Sequence, residues 1–243
     1  MRGVKSVLAA AVAAATSCCC VDFALADPAA RNSERMLFFS GGDLWRHGYF
    51  AHGGLVWSPG GLGAEGLVFK ALVNGGLYRY ESGALGGAEV TGRVVAGFLA
   101  PGWRFKRDRL TLTVFAGLDL QNHRLTPADP GAQLNGGYVG ARFAAELWYQ
   151  PNDLSMISVD GAVSTIGGNY AVRGAAGWRI FNLFYLGPEV QAVQSNDYRQ
   201  FRIGAHVTAF RTGDFEWTAA AGWALDTDDR SGAYGRIGVL VRR

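Results

Sequence analysis

The chain has 243 residues, 49% of them hydrophobic and 18% charged, with 35 glycines and a formal net charge of +3 at pH 7. Glycine at this level disfavours helices throughout, and the near-balance of charge implies no nucleic-acid partner.

The first element is a leader. Arg2 and Lys5 precede the apolar run VLAAAVAAAT, and ALA at 24–26 comes just before Asp27, which is the charged, apolar, small-residue order of a secretory signal. The run is about half the roughly 20 residues that a membrane-spanning helix needs. ATSC ending at Cys18 is a poor lipoprotein signal, because Ala15 stands where a larger aliphatic residue is usual. Residues 1–26 are therefore expected to be a cleaved signal peptide, 27–34 an N-terminal periplasmic segment, and 35–243 a single barrel domain. All three cysteines, Cys18 to Cys20, leave with the signal. Disulfides, thiolate metal sites and cysteine nucleophiles leave with them. The remainder carries 21 basic and 19 acidic side chains, and of the basic ones only Lys70 and Lys106 are lysines. Guanidinium groups dominate, and their planar, permanent charge suits fixed ion pairs inside a structure.

After the leader, period-two alternation between turn signals predicts strands at 35–45, 48–57, 66–80, 88–104, 109–124 and 134–150. It continues at 154–165, 169–181, 183–194, 198–210, 214–226 and 232–242. The fifth strand sets Leu110, Leu112, Val114, Ala116 and Leu118 on one face, and the eighth does the same with Tyr170, Val172, Ala176 and Trp178. The opposite faces carry charges mid-strand: Asp119, Arg142, Glu146, Asp160, Arg173, Arg179, Glu189, Arg202, His206 and Glu216. Apolar residues outside and charges within fit an all-β, antiparallel, up-and-down transmembrane β-barrel of about 12 strands, closed so that lipid meets no unpaired edge. Tight joins (KRD, PND, FN, TGD) alternate with longer polar ones (ESGALGG, LTPADPGAQ, TDDRS), the asymmetry of periplasmic turns and external loops in the bacterial outer membrane. SPGGLGAEG is long where a short turn is expected, and IGG is short where a loop is expected. Trp57, Trp178 and Trp217 fall near the expected periplasmic rim as an interfacial aromatic girdle, whereas Trp103 and Trp148 read as inward-facing.

Several motifs suggest chemistry that their setting does not support. Gly61 to Gly66 spells G-x-G-x-x-G, but another strand follows, so no helix N-terminus is available for a pyrophosphate. Asp226, Asp228 and Asp229 cluster on an expected external loop without calcium-loop spacing. His206 with Thr208 faces inward, where a hydrogen-bonded structural role is expected. Glu146, Asp160, Glu189 and Glu216 could supply paired glycosidase acids, but Arg142, Arg173, Arg179 and Arg202 share the same strands, and neutralising ion pairs are the plainer account. No catalytic residue, metal ligand or cofactor is therefore assigned.

The stretches FFSGGDLWRHGYFAHGGLVWSPGGL, GGLYRYESG, DLSMISVDGAVSTIGGNYAVRGAAGWRI, YLGPEV and YRQFRIGAHVTAFRTGDFEWTAAAGWAL resemble the cellulose biosynthesis protein BcsS family. The resemblance implies an exported bacterial protein of the outer membrane, associated with cellulose production and without an established catalytic residue. Its implied partners are outer-membrane lipid and a cellulose chain or components of the cellulose synthase and export complex. Conduit, scaffold and surface organiser all fit. The alternatives are a membrane-embedded enzyme acting on polysaccharide or lipid, and a general small-solute pore.

The leader yields one expected outcome: mass spectrometry of the membrane-inserted protein finds Asp27 at its N-terminus, and an intact Met1 or a lipid-modified Cys18 would contradict it.

Overall fold

The computed structural model describes residues 34–195, 198–228 and 230–243. The expected signal peptide, nearly all of the N-terminal segment, and Asp229 lie outside the described residues. Twelve strands are present: β1 (Met36–Trp45), β2 (Gly48–Trp57), β3 (Gly66–Ser82), β4 (Ala88–Arg107), β5 (Leu110–Thr126) and β6 (Gly136–Asn152), then β7 (Ser155–Ser164), β8 (Tyr170–Ile180), β9 (Phe184–Ser195), β10 (Tyr198–Thr212), β11 (Phe215–Asp226) and β12 (Ser231–Arg242). Each pairs antiparallel with its neighbours in sequence, and β1 pairs with β12 from Leu37↔Arg242 to Trp45↔Tyr234, closing the barrel. Closure consumes the backbone donors and acceptors that a free edge would leave unpaired.

The period-two reading located every strand. Its largest shortfall was at the ends of β3, β4 and β5, which run 17, 20 and 17 residues and extend past their expected limits, as β6 and β10 also do. Arginine, glutamate and threonine near these ends mask the continuing alternation.

The sidedness is the reverse of a soluble protein. Large apolar side chains including Val73, Leu99, Val139, Ile203 and Ile237 are exposed, whereas Lys70, Arg104, Asp119, Arg173 and Glu189 are buried. Such a wall would be poorly placed in water and is well placed in lipid. Trp103 corrects the sequence reading: it is 45% exposed and faces outward, while Trp148 is buried inside as expected. On β4, apolar residues occupy both faces, Val94 and Phe98 within and Val95 and Leu99 without, so alternation alone could not assign the tryptophan. Trp57 and Trp178 are exposed and Trp217 is half-buried, so all three belong to the outer wall.

Glycine permits the interior packing. A Cβ at Gly92 would lie 2.1 Å from the Tyr78 ring, one at Gly76 2.3 Å from Phe50, and one at Gly102 2.5 Å from Phe115. In each case an aromatic ring occupies the space beside the bare backbone of the adjoining strand, the aromatic rescue of a β-sheet glycine.

The membrane-facing wall predicts that Ala145→Arg, midway along β6, destabilises the barrel in lipid vesicles by about 2–4 kcal/mol, as measured by denaturant titration. Unchanged stability would mean that the β6 face does not contact lipid.

Candidate functional site

The interior is the place where the sequence put its charges, and it is filled. Starting from the end at which β1 begins and β12 ends, residues 58–65 do not form a surface turn. Ser58 Oγ donates to Gly61 O at 2.7 Å, and the segment folds inward to bury Leu62 among Leu37, Val56, Val68 and Leu240. Arg104 Nη1 donates to Leu62 O at 2.6 Å, and Lys106 Nζ to Gly63 O at 2.8 Å. This explains the unexpected length of SPGGLGAEG: the segment is a stopper. Its glycine pattern serves the turn, as expected, with Gly61 and Gly66 at positive φ.

Above the stopper, ion pairs cross the bore. Lys70 on β3 pairs with Glu146 on β6 and lies over the rings of Phe39 and Phe115 at 5.5 and 5.4 Å. Arg202 on β10 meets Asp43 on β1 at 2.6 Å and stacks over Tyr234 at 5.1 Å. Glu189 on β9 accepts from Arg236 and Tyr234 on β12 at 2.6 and 2.9 Å. Each of these links joins strands three places apart in the closed ring of twelve. They are chords across the lumen rather than contacts along the wall. Other pairs join adjacent strands: Arg173 holds Asp160 at 3.2 Å and Glu189 at 3.0 Å, and Arg142 holds Asp119 at 3.0 Å. Glu216 accepts from Arg211 at 3.1 Å and Arg242 at 2.8 Å.

Nine of the ten residues expected inside are buried there, none more exposed than Glu146 at 8%. The tenth, Arg179, is half-buried toward the terminal rim, over the Tyr185 ring at 5.0 Å. His206 is bonded through Nδ1 to Thr208 Oγ1 at 2.9 Å and through Nε2 to Ala176 O at 3.2 Å, the structural arrangement that was expected. Asp43, Lys70, Arg104 and Arg236 were missed as lumen residues. Asp43 and Lys70 had a visible signal, a charge in the middle of an otherwise apolar strand.

The far end is closed by loops. Leu134 and Ile166 fold in against Phe50, Tyr78, Tyr80, Val90 and Tyr198. Asp129 accepts from Tyr80 Oη at 2.8 Å and from Gly131 N at 2.9 Å. Burial alone would raise its pKa, but hydrogen bonds from Tyr80, Gly131 and Ser82 outweigh that and hold it below the usual carboxylate range. On the β11–β12 loop, Arg230 spans Asp226 at 2.7 Å and Asp228 at 2.9 Å, so these carboxylates hold a guanidinium. Among the described residues, no group of three or more histidine and acidic side chains is placed to hold a metal.

This packing limits what the interior can do. The mid-lumen charges are buried. A cavity beside His52, Arg173, Glu216 and Arg236 has a volume of about 40 Å³, enough for a little water and too small for a saccharide. Glu146, Asp160 and Glu189 each face a cation and are buried.

A closed barrel with a lipid-facing wall and an ion-paired interior defines an integral membrane protein of the outer-membrane type. The chain belongs to the cellulose biosynthesis protein BcsS family, whose model matches residues 37–243. No curated protein matches it. Among solved structures, it is similar to the KdgM porin, at 9% identity and a TM-score of 0.49 over 84% of this chain and 98% of that one. It is also similar to the beta domain of the Bordetella autotransporter Brka, at 14% identity and a TM-score of 0.48 over 86% and 98% of the two chains. A third is the translocator domain of the autotransporter NalP from Neisseria meningitidis, at 11% identity and 0.46 over 86% and 88%.

Removing one member of a buried ion pair leaves its partner's charge stranded, so Arg173→Met is expected to cost about 3–5 kcal/mol. Adding Asp160→Asn and Glu189→Gln should recover part of that loss, because the stranded charges are then gone. Thermal unfolding in detergent, followed by the gel mobility shift between folded and unfolded barrel, measures both.

Proposed function

We propose that this protein is a non-enzymatic outer-membrane component of cellulose biosynthesis that acts as a scaffold or surface organiser rather than as a conduit through its own lumen. The observation that carries this reading is the set of chords across the bore, Lys70 to Glu146, Asp43 to Arg202 and Glu189 to Arg236, above a stopper held by Arg104. A polysaccharide exporter needs a continuous path lined with groups for sugar faces and hydroxyls. Here the tyrosines that could serve, Tyr78, Tyr80 and Tyr234, are packed into closed clusters. Catalysis by paired carboxylates needs one acid free to exchange a proton with substrate. The buried acids of the strands, Asp43, Asp119, Glu146, Asp160, Glu189 and Glu216, instead neutralise arginine and lysine. With the interior committed to packing, function falls to the loops, the rims and the wall, and family membership supplies the cellulose context.

In a producing strain, deletion of the protein should alter cellulose yield or surface architecture. The purified barrel in a planar bilayer should show no steady conductance and should leave glucans uncleaved. Steady conductance, together with altered solute permeability and unchanged cellulose in the deletion strain, would replace this reading with a general pore. Glucan cleavage by the wild type, lost in a Glu146→Gln variant that still assembles in the membrane, would replace it with an enzyme.

A further inference from the structure

We propose that the outward ends of β3, β4 and β5 form a binding site for a phosphorylated glycolipid of the outer leaflet, the lipid A portion of lipopolysaccharide. This rests on the reading of the barrel as an outer-membrane protein with its termini toward the periplasm. Three arginines carry the inference. Arg79, Arg93 and Arg124 lie on the lipid-facing side of the wall, all three exposed. The ladder brings them together: Arg93 stands directly opposite Arg124, and Arg79 stands opposite Thr91, one diagonal step from Arg93. Directly opposed residues have their Cβ atoms about 5 Å apart and diagonal ones about 7–8 Å, so the three arginines spring from one small patch and their guanidiniums can reach one ligand. Like charges directly opposed destabilise a sheet unless something neutralises them. None of the three forms an ion pair among the described residues, although Glu81 and Glu89 lie further out on the same two strands.

Height identifies the anion. On β3 the outward positions are apolar or glycine from Leu67 to Leu77, and Arg79 follows; on β4 they run from Phe105 to Val95, and Arg93 follows. On β5 they run from Leu110 to Leu120, after which come Asn122 and Arg124. Ten residues of strand, at about 3.3 Å each and tilted roughly 40°, span about 25 Å of the membrane normal, the height of the apolar band of an outer-membrane barrel. The arginines therefore begin at the boundary between acyl chains and headgroups, on the side away from the termini. Guanidinium pairs with phosphate in bidentate geometry and fits this level.

Two features favour a glycolipid over an ordinary phospholipid. Asn122, Thr91 and Thr126 face outward beside the arginines, and their amide and hydroxyl groups match sugar hydroxyls. The cluster is also confined to one sector. On the other nine strands the only outward charge among the described residues is Arg199 at the far end of β10; past the bulge in that strand Arg211 stands opposite inward Glu216 and pairs with it. A general affinity for membrane phosphate would distribute cations around the whole rim.

The test uses the mature protein folded in detergent, with retained lipid read by native mass spectrometry. The probes are bisphosphorylated lipid A, the same lipid after phosphatase treatment, and phosphatidylglycerol. The wild type should retain bisphosphorylated lipid A in preference to the other two. Arg79→Gln, Arg93→Gln and Arg124→Gln combined should lower that retention by about tenfold or more, with the folded gel mobility unchanged. The corresponding triple lysine variant should keep most of it, and Arg199→Gln should keep all of it. Undiminished retention by the folded glutamine triple overturns the site. Equal retention of phosphatidylglycerol or of dephosphorylated lipid overturns the glycolipid assignment. A wild type that stays soluble without detergent removes the membrane reading itself, before any lipid is added.

Discussion

A ring of twelve strands encloses more space than adjacent side chains can fill, and that surplus governs the rest of this molecule. In the smallest barrels, side chains from neighbouring strands meet at the axis, and in the widest ones water occupies the centre. Here long cationic side chains reach a quarter of the way around the ring to carboxylates, as Arg202 does to Asp43 and Arg236 does to Glu189. Burying charge is costly, and a chord repays the cost only when both ends are satisfied. Further contacts support these ends: Gln200 and the Tyr234 ring around Arg202, Phe39 and Phe115 around Lys70, and the Tyr234 hydroxyl on Glu189. Such pairs contribute registry more dependably than net stability, because a strand slipped by one residue would turn its charge into lipid.

The same constraint accounts for the glycines and for the stopper. Phe50, Tyr78 and Phe115 fill the barrel by lying against backbone at Gly76, Gly92 and Gly102, where any Cβ would collide with the ring. Toward the terminal end, where the cluster around Phe39, Phe98 and Phe115 would otherwise open to water, Leu62 enters from the β2–β3 connection and Arg104 fixes its carbonyl. Apolar filling at the ends and ion pairs in the middle together leave little room inside. The largest cluster of charge on the outer wall is the arginine patch on β3 to β5.

What the sequence determined by itself is the set of strands and, nearly everywhere, the face to which each residue belongs. Alternation is a local property of an extended chain with side chains on opposite sides, so Asp119, Arg142, Glu146, Asp160, Arg173 and Glu189 could be placed inside before any pairing was known. Where both faces are apolar the rule lost its contrast, and Trp103 was assigned to the wrong side. Only the tertiary structure decided which charges meet. Asp43 and Arg202 are 159 residues apart and Lys70 and Glu146 are 76 apart, and no local pattern links them. Their partnership follows from the closure of β1 on β12 and from the relative stagger of the strands, which only the assembled ring defines. The same holds for Leu62: as a sequence its loop is a glycine-rich turn, and it became a stopper because the ring left an apolar mouth for it to fill.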